Sequence, residues 1–184
     1  MNIYLDMDGV IADFFTELAR HYNVNHWKDL PDKNESVKAL KGTDFFERLP
    51  KFPTSDELVE FIHELTNGNW YILSAPLRDD YDHSISLKRK WLANHGYTPK
   101  DAYFSSVKEK YAVNENGQSN ILIDDREEKL KAWTQNHGIG ILYQANKHSL
   151  KELKNLLERL HSFTNLTICS TMFTLPRNEK ETIK

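Results

Sequence analysis

The chain has 184 residues, 39% of them hydrophobic, enough to bury a sizeable core in one domain with room for a small insert. Its net charge of −3 and pI near 6.2 argue against a dedicated nucleic-acid binder, and no apolar run reaches membrane-spanning length. The single Cys169 cannot form an internal disulfide, and no secretory signal precedes the first strand, so the cytoplasm is the expected compartment.

In chain order, the first predicted strand is Ile3-Tyr4-Leu5, apolar and aromatic, and it runs into Asp6-Met7-Asp8-Gly9-Val10. Residues two apart in a strand point to one side. Two like charges so placed are unfavourable unless a cation or a proton separates them, and Gly9 permits a sharp turn. The pattern suits a divalent metal and a reacting phosphate; its plain alternative is a solvated acidic turn. Phe14, Leu18 and Tyr22 follow at helical spacing. Residues 23–50 are polar and irregular and contain Trp27, Phe45 and Phe46. They are too long for a simple connection and read as part of a small helical cap.

Thr54 to Glu57 has the form of a capping box ahead of Leu58, Phe61, Ile62 and Leu65, and Gly68 closes that helix. The strand Trp70-Tyr71-Ile72-Leu73 ends in Ser74 and leads into a charged loop through Asp82. Leu87, Trp91 and Leu92 form the apolar side of a helix that stops at Gly96, and Ala102-Tyr103-Phe104 is a short strand. Ile121-Leu122-Ile123 ends in Asp124-Asp125. Leu130 and Trp133 mark a helix closed by Gly138, and Ile139 to Tyr143 makes a fifth strand. Leu150, Leu153, Leu157 and Leu160 mark the last helix; beyond it, residues 162–184 are expected to be disordered or to dock through Leu166, Ile168, Met172 and Phe173.

Strands alternating with helices predict an α/β fold with a parallel sheet of about five strands. Three buried-looking strands each finish in a polar residue, and Lys108 and Lys110 lie between the last two of them. In open parallel sheets, ligands bind beyond the carboxyl ends of the strands. The eight histidines have no zinc-like spacing, there is no phosphate-cradling loop, and Gly138-Ile139-Gly140 follows a helix rather than a strand.

These four elements, DMDGV at 6–10, Ser74 after a strand, a lysine at 108 or 110, and Asp124-Asp125, resemble the motifs of the haloacid dehalogenase (HAD) superfamily of phosphatases. YLDMDGVIADF, FFERLP, ILSAP, SLKRKWL and ILIDDR are most similar to the 5'(3')-deoxyribonucleotidase group and its phage and bacterial relatives. The resemblance implies a Rossmann-like three-layer core over residues 1–161, a small cap at roughly 15–52 and a C-terminal extension at 162–184. It implies an Mg²⁺-dependent phosphomonoesterase in which Asp6 attacks phosphorus to form an aspartyl-phosphate and Asp8 is the acid and base. Asp6, Asp124 and the backbone carbonyl of Asp8 would hold the ion, Ser74 would bond the phosphoryl group and a lysine would offset its charge.

Asp125 either serves the metal site or caps the helix before Arg126. Lys110 fits the lysine role if Asn114 to Gly117 is a short insert, and Lys108 fits if Lys110 begins a helix surface; the reading leans to Lys110. Gly9, Ala75, Arg78 and Lys88 are the weaker expected substrate contacts, with Lys88 alternatively facing water. Phe14, Trp27, Phe45 and Phe46 would border a base, or form the cap's own core. The expected partner is a small phosphorylated substrate, with neither membrane nor nucleic acid, and the reading leaves room for a homodimer. The alternatives are a polynucleotide 3'-phosphatase, another small-metabolite phosphatase of this superfamily, and a non-enzymatic phospho-receiver module.

Overall fold

The short strand β1 (Ile3–Leu5) is wholly buried and sits in the middle of the sheet. It pairs in parallel with β2 (Trp70–Ser74) on one side and β4 (Ile121–Asp124) on the other, so that Leu5 lies level with both Ile72 and Ile123. β3 (Asp101–Phe104), β5 (Ile139–Leu142) and β6 (Met172–Thr174) complete a six-stranded, all-parallel sheet in the order β3-β2-β1-β4-β5-β6. The strand order reverses at β1, and the crevice for a ligand in such a sheet lies at that switch point. The structure is a computed structural model that describes residues 1–162 and 171–177.

Side-chain alternation along the strands builds two cores and hence three layers. Ile3, Leu5, Ile72, Ile121, Ile123, Ile139 and Ile141 belong to one core. It also takes residues from α1 (Phe14–His21), α3 (Ser55–Leu65), α4 (Tyr81–Asn94) and α6 (Leu150–Ser162). Tyr4, Tyr71, Leu73 and Leu122 point the other way and meet Leu130 and Trp133 of α5 (Glu127–Gln135). On that side Tyr4 stacks on Tyr71 at 5.1 Å. The strands read as near-continuous apolar runs because both faces are covered.

Between β1 and α3 the chain forms α1, a 3₁₀ turn at Trp27–Asp29 and the short α2 (Lys33–Lys38). Asp13 starts this stretch by accepting the Thr16 amide, and its own amide donates to the carbonyl of Pro50 at 2.8 Å. The segment therefore leaves and rejoins the sheet domain at one point. It is anchored further by Trp91, fully buried, whose indole donates to the carbonyl of Leu49 at 2.7 Å.

One expectation needs correction and one is extended. Thr54 holds the N-cap position of α3, but its side chain makes no capping bond; the hydroxyl of the next residue, Ser55, turns inward to the carbonyl of Ile11 instead. The sheet has six strands rather than about five, because Met172 and Phe173 lie in β6 and pair with β5. Leu166 and Ile168 lie outside the described residues.

Gly138 closes α5, its amide bonding the carbonyl of Trp133, and a Cβ there would overlap the Trp133 indole. That indole is fully buried and donates to the carbonyl of Asn120 at 3.2 Å, so it cannot move aside freely. Gly138→Ala is therefore expected to destabilise the fold by about 1–3 kcal/mol, read as a lower midpoint in urea denaturation at unchanged slope.

Candidate active site

Beyond Leu5 the chain turns back at once. The amides of Val10, Ile11 and Ala12 all converge on the carbonyl of Met7, and Gly9 takes a left-handed φ of 80°. This tight loop is built on buried Met7, Val10, Ile11 and Ala12, which leaves the two acids between them at the sheet rim. Gly9 has a second reason to lack a side chain, since a Cβ would stand 2.7 Å from the carboxyl carbon of Asp125.

Asp6 and Asp124 end neighbouring strands and are both buried. The ammonium of Lys108 lies between them, 2.9 Å from Asp6 Oδ2 and 2.7 Å from Asp124 Oδ2. The remaining oxygens are held by backbone: Met7 N donates to Asp6 Oδ1 at 2.8 Å, and Arg126 N to Asp124 Oδ1 at 2.9 Å. Asp125 points into the same space, so that ligand oxygens of Asp6, Asp124 and Asp125 all lie within 4.8 Å of one another. The helix-cap alternative for Asp125 is not what forms, because the bond to the Arg126 amide comes from Asp124. Gln144 fixes the Asp125 backbone from the next loop, its side-chain amide donating to the Asp125 carbonyl at 2.9 Å.

Asp8 stands beside this group but turns its carboxylate to another lysine. Its Oδ2 accepts from Lys88 Nζ at 2.6 Å, and Lys88 also donates to Ser74 Oγ at 3.0 Å. Asp8 Oδ1 is buried with no partner among the described residues. Lys88 itself is fully buried within α4, in contrast to the water-facing alternative. The signal for it was available: Ser84, Lys88 and Trp91 share the helix face with Leu87 and Leu92, and all five are buried. Of the two lysines near residue 109, it is Lys108 whose ammonium enters the site; Lys110 is exposed, contrary to the preference for it. The short 3₁₀ turn at Lys108–Tyr111 decides this by turning only the first of its two lysines inward.

A cleft of ≈ 1540 Å³ opens over these residues. Gly9, Ala75 and Arg78 line it, and Arg78 has no ion pair among the described residues. Of the expected aromatic contacts, Phe14, Trp27 and Phe46 line the cleft and Phe45 does not. Phe14, Phe45 and Phe46 are buried against one another, with Phe14 and Phe46 stacked at 6.0 Å, and Phe45 does not reach the cleft. The rings that face it half-exposed are Phe15 and Trp27, 4.9 Å apart.

Burial raises three of the acids. Burial pushes the Asp8 carboxyl above the ordinary range, opposed by Lys88 and reinforced by Asp6. Burial likewise raises Asp124, opposed by Lys108 and reinforced by Asp6. Asp125 is pushed well above the ordinary range by burial, with Asp6 and Asp124 acting in the same direction. Burial works against the Lys108 charge, yet Asp124 and Asp6 hold its ammonium above the usual lysine range. Lys108 offsets one of the three negative charges of Asp6, Asp124 and Asp125. The two that remain match a divalent cation, and an all-oxygen donor set suits a hard one. The buried cluster thus fits a metal site.

Two opposite stability effects follow. Lys108→Met leaves Asp6 and Asp124 buried without their counter-charge, and should cost about 3–5 kcal/mol in denaturant unfolding. Asp125→Asn should stabilise the protein in chelator. With the folded pKa above the unfolded one, the native state holds the extra proton between the two values, so the wild type loses stability as pH rises through that window. The variant's advantage should be absent near pH 4 and exceed about 1 kcal/mol at pH 7, measured by urea unfolding.

No family model matches the chain, and no curated protein matches it. Solved structures do. A HAD-superfamily hydrolase from Ehrlichia chaffeensis aligns with a TM-score of 0.52 at 11% identity, covering 86% of this chain and 96% of that one. A predicted phosphatase from Clostridium acetobutylicum aligns with a TM-score of 0.50 at 14% identity, over 88% of this chain and 97% of that one. A crystallised dehalogenase gives 0.51 at 12% identity, over 91% and 97%. The six-stranded parallel sheet with its flanking helices is the fold of the HAD-superfamily hydrolases.

Proposed function

We propose that the chain is an Mg²⁺-dependent phosphomonoesterase that hydrolyses (deoxy)nucleoside monophosphates through an aspartyl-phosphate on Asp6. The observation that carries this reading is the convergence of Asp6, Asp124 and Asp125 on one space, with Lys108 bridging Asp6 and Asp124. The similarity in fold to a HAD-superfamily hydrolase and a predicted phosphatase supports it.

A phosphate monoester resists attack because its anionic oxygens repel the nucleophile, so the site must neutralise that charge and hold the attack in line. A bound Mg²⁺, held by Asp6, Asp124 and Asp125, would draw charge from the phosphoryl oxygens. Lys108 steadies the Asp6 carboxylate at the cleft floor. As the bond from Asp6 to phosphorus forms and the ester P–O bond breaks, Asp8 gives its proton to the leaving oxygen. Water then cleaves the acyl phosphate, with Asp8 taking a proton back and inorganic phosphate leaving. An Asp8 carboxyl raised by burial suits the acid step. Ser74 supplies a hydroxyl at the end of β2 beside Asp8 and Lys88.

The nucleotide preference rests on the cleft. At ≈ 1540 Å³ it exceeds the roughly 300–1,000 Å³ of a common small-ligand pocket, enough for a base and sugar above the phosphate. Phe15 and Trp27 offer a ring surface, and the Lys28 ammonium lies 5.9 Å from the Trp27 ring centre. A base stacked there would gain about 1–3 kcal/mol. The phospho-receiver alternative is disfavoured by topology: receivers use the strand order 2-1-3-4-5, whereas here the order is β3-β2-β1-β4-β5-β6.

The expected outcome is release of inorganic phosphate from dUMP, dTMP and p-nitrophenyl phosphate with Mg²⁺. Chelator should abolish it, and Asp6→Asn should lower kcat by at least roughly 10³-fold. Undiminished turnover after metal removal, or in Asp6→Asn, overturns the proposal. Turnover of sugar phosphates with none of nucleotides overturns only the substrate class.

A further inference from the structure

The ammonium of Lys88 has three N–H bonds and three neighbours. One bond goes to Asp8 Oδ2 at 2.6 Å and one to Ser74 Oγ at 3.0 Å, while the face of the Phe46 ring lies 4.9 Å away. The side chain is fully buried, within α4, and a lysine in such a place must be paired and hydrogen-bonded to keep its charge. It is not among the residues lining the cleft, whereas Asp8 is. The lysine therefore faces the reacting space through Asp8 rather than directly.

We infer that Lys88 is a positioning residue that holds Asp8 through Oδ2 and so fixes the orientation in which Asp8 exchanges a proton with the leaving group. The inference rests on the proposed phosphomonoesterase reading and deepens it. Three observations support it together. Oδ2 is occupied by a short charge-assisted bond. Asp8 lines the cleft, whereas the lysine that holds it does not. The lysine that makes the bond is itself tied to β2 through Ser74, and Ser74 is fully buried, so the bond refers Asp8 to the sheet rather than to a mobile surface. Phe46 closes the remaining side, which excludes water from the ammonium and preserves the strength of the pair.

In the step concerned, the ester oxygen leaves phosphorus with its bonding pair and takes the proton from Asp8 as the Asp6–phosphorus bond forms. Lys88 exchanges no proton. Its effect should therefore depend on how much the leaving oxygen needs that proton. A nucleoside alkoxide needs it strongly, and p-nitrophenolate hardly at all. A lysine that bound phosphate directly would matter equally to both.

The test compares kcat/KM for dTMP and p-nitrophenyl phosphate in wild type, Lys88→Met, Asp8→Asn and the double variant, with Mg²⁺ present and folding checked by thermal melts. Lys88→Met is expected to lose roughly 10²-fold on dTMP, within the range of general acid catalysis, and less than about threefold on p-nitrophenyl phosphate. In the Asp8→Asn background the same change should cost nothing further, because the two residues act as one unit. Lys88→Gln, which keeps a donor to Oδ2 without the charge, should recover most of the dTMP activity, and Lys88→Ala serves in place of the methionine variant if that fails to fold. Equal losses on both substrates, or a full additional loss in the Asp8→Asn background, overturn the inference and leave the phosphatase reading standing. A wild type inactive on both substrates overturns the phosphatase reading itself.

Discussion

The bridge from Asp6 through Lys108 to Asp124 is the contact on which the site depends. Parallel pairing of β1 with β4 forces two carboxylates to the same rim at adjacent strand ends. Water is excluded there, so their repulsion is strong and neither can turn away to solvent. An ammonium between them converts that repulsion into a fixed geometry. It comes from a separate element, the 3₁₀ turn after β3, which ties the far half of the sheet to its centre.

The same device occurs twice around one short loop. Lys88 joins the loop after β1 to the end of β2, and Lys108 joins it to the end of β4. Asp6 and Asp8 are two residues apart, yet each has its own cation and its own strand. The two carboxylates thus meet different cations in different surroundings. Gly9 between the loop and Asp125 lets the third acid approach without a side chain intervening.

Much of this was readable from the chain because the strands are short, apolar and end abruptly in acids. Asp6, Ser74 and Asp124 announce themselves by breaking an apolar run at its carboxyl end. Lys88 announced itself only through its place on the face of Leu87, Trp91 and Leu92, because a long aliphatic stem can also lie along a solvated edge. Lys108 and Lys110 could not be separated by periodicity, because a single 3₁₀ turn has too few residues to establish a phase. The aromatic residues divide between the two readings the sequence left open. Phe14, Phe45 and Phe46 satisfy one another in a local core, while the adjacent Phe15 and Trp27 lie at the surface of the cleft, and a one-residue shift in helix phase separates the two outcomes. β6 escaped detection because three residues carry no pattern apart from the edge they pair with.

The amide of Asp13 and the carbonyl of Pro50 meet across the base of the segment that roofs the cleft. A detour whose ends are already clamped adds little chain entropy as it lengthens, since closure depends only logarithmically on loop size. The roof can therefore gain, lose or exchange residues while the acids below keep their spacing. The lining of the roof and the acids beneath it are written on separable stretches of one chain, so a lineage could retune the first without disturbing the second.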